Sequence, residues 1–213
     1  MALCLQPAWA DKAVCAVPGV TVTAATQAET GRVCSVVSKA AEQFEKCGPL
    51  LPNPVDIFIV DELDMPCLGV YHCETSTIEI LSAPAITQLR SPESAFGFLA
   101  ENAHFDSVVV HELAHSAMQF SPCPYDNCVV AKEYVAYAMQ IMSLSETDQR
   151  RFEAKIVNLP KVHLDELNPM YLALAPGHFA QKVWAHLNSQ KQPCDFIGQL
   201  VEGAVVLDNS PHF

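Results

Sequence analysis

The hydrophobic period of the chain changes partway along it. Val20-Thr21-Val22-Thr23 alternates β-branched residues and predicts a short strand. From Thr30 to Lys46, Val33, Val36, Val37, Ala40 and Phe44 fall on one side of a helix that Gly48-Pro49 ends. Past Pro52 and Pro54, Val55 to Val60 predicts a strong strand. A turn-rich patch with Pro66 and Gly69 leads to a second, Val70 to Leu81, in which Thr77, Glu79 and Leu81 alternate with Ile78 and Ile80. Ser91-Pro92-Glu93 has the hydroxyl, proline and acid of a helix start. Helical spacing then dominates. It predicts helices at Phe105 to Phe120, at Val129 to Leu144, from the capping-box-like Ser145-Glu146-Thr147-Asp148 toward Val157, at Pro176 to Leu187 and at Cys194 to Val201. Strands first and helices after predict an α+β fold. It is a small N-terminal mixed sheet packed on a buried helix, followed by a mainly helical C-terminal half. No repeat or linker-like stretch divides it, so residues 11–213 are expected to form a single domain.

Composition narrows the function classes. Half of the 213 residues are hydrophobic and 17% are charged, which is the balance of a chain that buries a core. Twelve Lys and Arg against 24 Asp and Glu give a formal charge of -12, and such a surface repels phosphate backbones, so no nucleic-acid partner is expected. No apolar run reaches the roughly 18 residues of a membrane span. Ala8-Trp9-Ala10 before Asp11 reads as a signal peptidase site, and residues 1–10 as the remnant of a signal peptide. Removing them takes Cys4 from the nine cysteines and leaves an even set: Cys15, Cys34, Cys47, Cys67, Cys73, Cys123, Cys128 and Cys194. An even set spread along a chain this long fits a secreted or periplasmic protein with disulfides. Closeness in sequence suggests two bridges, Cys67 with Cys73 and Cys123 with Cys128.

The chemistry lies in His111-Glu112-Leu113-Ala114-His115, inside the predicted helix 105–120. Histidines at i and i+4 sit about 40° apart around a helix and one turn along it, so both imidazoles can reach one metal ion. Glu112 is rotated about 100° from His111, beside the pair, where it can meet a metal-activated water. This is the H-E-x-x-H arrangement of zinc hydrolases. A merely structural His-Glu-His cluster is the competing reading. Against it, Val108-Val109-Val110, Leu113, Ala114, Ala117, Met118 and Phe120 mark the helix as buried, and buried titratable groups need partners. A third ligand at the metzincin position is closed off, because Met118 and Ser121 stand where glycine and histidine would be required. The segment 129–142 is apolar nearly all round, with Lys132 and Glu133 as its only charges, and an ionised Glu133 there wants a cation. Glu133 is therefore the expected third ligand, with Asp126 and His163 as weaker substitutes.

On His111, Glu112, His115 and Glu133, and on the strand-then-helix order before them, the chain resembles the zincin metallopeptidases of the gluzincin type. It also resembles uncharacterised bacterial zincin-like proteins of unknown function. The resemblance implies a zincin-like fold with Zn2+ on His111, His115 and Glu133. It implies Glu112 as the general base of a peptidase acting on peptide or protein substrates. It further implies that Tyr71 to Leu81 is the edge strand along which a substrate pairs. The alternative is a zinc-binding domain of the same fold that acts as a binding module. Two features depart from the pattern. Only 17 residues separate His115 from Glu133, and Tyr137 stands where an acidic partner would follow the glutamate by four. Tyr137 can orient a ligand, help an oxyanion or simply fill core. Tyr134, Tyr137, Tyr171 and His178 are all open as oxyanion donors. His72, His104, His163, His186 and His212 carry no recognisable spacing and read as surface or core.

Overall fold

In a computed structural model, residues 10–51, 54–91, 94–156 and 161–208 are described. Of the signal-peptide remnant expected at residues 1–10, residues 1–9, with Cys4, lie outside them, as do Pro52, Pro92, Glu93, Val157 and His212.

Five strands form one mixed sheet in the order β1-β2-β3-β5-β4. β1 (Asp11–Val14) runs antiparallel to β2 (Val20–Ala24), with Val22 opposite Ala13. Thr26 then caps α1 (Gln27–Cys47) by accepting from the Glu29 backbone N–H, three residues before the predicted start. This helix is the crossover of a βαβ unit, since β3 (Val55–Val60) returns parallel to β2. Alternate residues Val20, Val22, Val55, Ile57, Ile78 and Ile80 are fully buried; α1 packs on β1 and β2 and adds Val33, Val37, Ala40 and Phe44 to the same core, while α3 lies against β5.

The expected single strand over 70–81 is instead a hairpin. β4 (Gly69–His72) and β5 (Thr77–Leu81) pair antiparallel, with Tyr71 opposite Ile78. The polar run Cys73-Glu74-Thr75-Ser76 turns between them, with Ser76 at φ 53°. β5 lies inside the sheet, parallel to β3, so the edge is β4 alone and not the whole of 71–81.

The rest is helical: α2 (Ala83–Leu89), α3 (Glu101–Ala117), α4 (Val129–Met142), α5 (Glu146–Glu153), a 3-10 turn at Leu164–Glu166, α6 (Pro169–Leu174), α7 (Pro176–Ser189) and α8 (Pro193–Val201). Residues 94–99 make turns, so the helix expected from Ser91 starts only at Glu101. β1, α2 and α6 are too short for a period to show in the sequence. α3 packs between α4, α1, α2 and β4. The architecture is the expected α+β: a five-stranded mixed sheet, then a mainly helical remainder.

Three disulfides tie these parts together. Cys15–Cys34 joins the β1–β2 turn to α1, Cys47–Cys194 joins the end of α1 to α8, and Cys123–Cys128 closes the loop before α4 as expected. Such a set is compatible with an extracellular location. Cys67 and Cys73 are free thiols, contrary to the expected bridge. The strand β4 between them explains this. Its four residues rise about 13 Å at ~3.3 Å each, while bridged Cα atoms lie within about 7 Å. No helix among the described residues is long and apolar enough to cross a membrane.

The amino end of α4 has no cap from its own N-terminal flank. Asp208, from the C-terminal segment, supplies one. Its buried carboxylate accepts from the Val130 N–H at 2.9 Å and the Ala131 N–H at 3.2 Å. Removing it strands two buried donors and should cost about 2 kcal/mol. Asp208→Ala should therefore melt about 4–8 °C lower. An unchanged melting curve by circular dichroism would remove Asp208 from the account of how α4 is held.

Candidate metal centre

α3 and α4 lie against each other, and the charged and polar residues of their facing sides meet. His111 and His115 are one turn apart on α3, and Glu133 stands in the first turn and a half of α4. The Nε2 atoms of the two histidines are 3.1 Å apart. Glu133 Oε2 is 3.5 Å from His111 Nε2, and its Oε1 is 3.4 Å from His115 Nε2. Among the described residues, these three form the group able to hold a metal ion. The spacing fits a tetrahedral ion: ligands about 2.0–2.1 Å from one centre lie about 3.3–3.4 Å from each other. The two imidazole rings stand edge to face at 4.8 Å.

His111 is oriented from behind. Its Nδ1 lies 3.0 Å from Gln140 Oε1, and Gln140 Nε2 donates to Ser107 Oγ at 3.2 Å. Ser107 in turn donates to the His104 carbonyl at 2.8 Å. With the amide oxygen accepting from Nδ1–H, the Nε2 lone pair is left for a metal. Gln140 is seven residues after Glu133, two helical turns on the same face. It is the only uncharged amide in the apolar run 129–142, a signal in the sequence that its charges overshadowed.

Electrostatics bind the cluster internally. Burial raises the Glu133 carboxyl, but hydrogen bonds and charge from His111 and His115 outweigh it and hold the group well below the usual carboxylate range. Burial works against a charged His111, yet the hydrogen bond and charge of Glu133 leave it above its ordinary value. Protons and a metal compete for the same lone pairs, so metal binding weakens as the pH falls.

Glu112 is buried, and burial raises its carboxyl while His115 and His111 pull the other way. Gly69 of β4 lies directly against it: a Cβ there would sit 2.7 Å from Glu112 Cγ and 2.9 Å from Oε1. The edge strand can approach the carboxylate this closely only because position 69 has no side chain. Tyr71 Oη donates to Gln119 Oε1 at 2.5 Å, and Gln119 Nε2 donates to the Cys73 carbonyl at 2.8 Å, which pins the hairpin to the end of α3.

The whole group opens on a cleft of about 740 Å3 between β4, the 65–68 loop, α3 and α4. Of the four open oxyanion donors, only Tyr137 lines it. Its ring is 4.7 Å from that of His111, and burial, with the charges of Glu133 and Glu112, keeps its hydroxyl protonated. Tyr134 is buried elsewhere, 2.8 Å from His186 Nδ1; Tyr171 lies under Lys182; His178 is exposed. The substitutes Asp126 and His163 stand apart from the cluster, the first exposed and the second at the start of the 3-10 turn. His72 pairs with Glu79 on the surface.

Residues 20–210 match the model of DUF6639, described as a family of unknown function. None of the curated proteins matches the chain, and none of the solved structures does.

Proposed function

The chain belongs to the DUF6639 family of unknown function, and we propose that in it His111, His115 and Glu133 hold a zinc ion at the centre of a peptidase of the gluzincin type. The observation that carries this reading is the convergence of two imidazole nitrogens and a carboxylate at 3.1–3.5 Å, with a buried carboxylate, Glu112, beside them. Two imidazoles and one carboxylate are a donor set of catalytic zinc sites, which keep a fourth position open.

A zinc ion bound there supplies a Lewis acid and lowers the pKa of a water toward about 7. Glu112 takes the proton of the attacking water and passes it to the leaving amine. Its raised pKa suits both halves of that task. The Tyr137 hydroxyl donates to the developing oxyanion. A peptide lies along the free edge of β4, adding a strand beside Gly69–Tyr71. The disulfides and the small-x-small run before Asp11 support a secreted or periplasmic setting.

Incubation with a diverse peptide library, with and without a chelator, tests the reading by mass spectrometry. Cleavage that stops in the chelator is the expected result. A zinc-loaded protein that cleaves nothing would leave a binding module in its place. Gly69 offers a narrower test. Gly69→Ala should keep the metal and lose about 10²-fold in kcat, the scale of a displacement near 1 Å at the reacting groups. Unchanged turnover would show that β4 does not hold Glu112 in place.

A further inference from the structure

The cleft extends past the metal cluster along α3. His104, Val108, His111 and His115 follow one another at helical spacing and all line it. Seven residues at ~1.5 Å rise put His104 about 10 Å from His111 along the helix axis. At that inner end the walls come from four separate segments: Phe96 from the 94–99 turns, Val108 from α3, Tyr137 from α4 and Pro176 from the start of α7. The α7 end is seated tightly, since a Cβ on Gly177 would meet the Ala95 Cβ at 3.3 Å. Phe96 stacks at 6.3 Å on Tyr137 and at 6.4 Å on His104. This end of the cleft is therefore aromatic and apolar.

His104 and Gln140 are its polar exceptions, and Gln140 is already engaged with His111 and Ser107. His104 as a whole residue is 4% exposed, and its Nδ1 is buried with no hydrogen-bond partner. A buried imidazole nitrogen left unpaired costs about 1–3 kcal/mol, and a ligand that pairs with it as the ring turns toward the cleft recovers that cost. We propose that this inner end is the side-chain pocket of the site and that His104 selects there an aromatic side chain bearing a hydroxyl, tyrosine above phenylalanine. The ring and the walls make the choice. Phe96 and Tyr137 offer aromatic faces to a flat side chain. A charged side chain would be desolvated with no counter-charge on the inner walls. Burial, then the nearby Arg90 charge, push the His104 pKa down to about 4, so a neutral ring meets a neutral phenol. The assignment rests on the peptidase reading only in taking the side chain to belong to a peptide.

The test separates the two. Binding of N-acetyl-tyrosinamide and N-acetyl-phenylalaninamide is followed on the zinc-loaded protein by the ring ¹⁵N shifts of His104, and cleavage of peptides differing only in Tyr or Phe is followed in parallel. Tyrosine should bind about tenfold tighter and shift the His104 ring nitrogens, and about the same factor should appear in kcat/KM. His104→Phe should erase the preference while leaving zinc in place. Binding discrimination without any cleavage would sink the peptidase reading and keep the pocket. Equal binding of the two amides, unmoved His104 shifts, or no binding of either at 10 mM (about 10 mM being weak even for a fragment) would overturn the pocket. The wild-type comparison decides this even if the variant fails to fold.

Discussion

Glu112→Gln should keep its zinc and lose peptide hydrolysis by about 10²–10⁴-fold, the range that general acid–base catalysis contributes. The substitution is nearly isosteric, so Gly69 still packs against the side chain and the sheet edge stays where it is. What disappears is the proton acceptor. Glu112 is not one of the three converging ligands, so metal content should be unchanged by elemental analysis. The amide also relieves a burden: a buried carboxylate whose pKa burial already raises is replaced by a neutral group. Thermal stability should therefore hold or rise slightly while activity collapses. Activity kept in Glu112→Gln would exclude this carboxylate as the base. Loss of zinc would mean that it helps to hold the metal.

Glu133→Gln should have the opposite signature. Glu133 faces both imidazoles at 3.4–3.5 Å, and without its charge two neutral rings and an amide remain. Zinc affinity should fall by more than the 10–100-fold typical of losing an outer partner, and hydrolysis should go with it. Gln140→Leu marks that lower rung, because Gln140 touches only the far side of His111. Titrating zinc into both variants against a competing chelator ranks them. Gln140→Leu weaker than Glu133→Gln, or Glu133→Gln equal to the wild type, would overturn the ligand assignment. Both variants should fold, since each leaves the three disulfides and the apolar packing of α3 on α4 in place.

The long elements were legible because their period is a direct imprint of burial. Val33, Val37, Ala40 and Phe44 recur on one side of α1, and the structure buries all four. The strand 70–81 was misread for the same reason. Thr77 to Leu81 alternates strongly, and that signal extends the strand back over the polar run 73–76, because nothing local marks Ser76 as left-handed. Cys67 and Cys73 looked like partners because six residues is a short loop. The loop is a strand, and a strand holds its ends apart.

At the site, spacing along one helix was enough to put His111, Glu112 and His115 together, because helical geometry is local and fixed. Glu133 was found by an energetic argument, a charge in a helix with no wet face, and the structure brings it to the two histidines. Gln140, Gly69 and Asp208 were not found. Each acts on a residue distant in the chain or through an absence: Asp208 on a helix start 78 residues earlier, Gly69 by lacking a Cβ where Glu112 passes.

The sequence by itself thus determined the α+β order, the two convergent imidazoles and an acid that needed a cation, since these follow from local period and from the cost of burying charge. Only the tertiary structure decided which edge flanks Glu112, which amide turns His111 toward its neighbours, which of the candidate oxyanion donors faces the cleft and how the cysteines other than Cys123 and Cys128 pair. Those depend on how α3, α4 and β4 dock, and docking is set by packing across the whole core, which no window of residues contains.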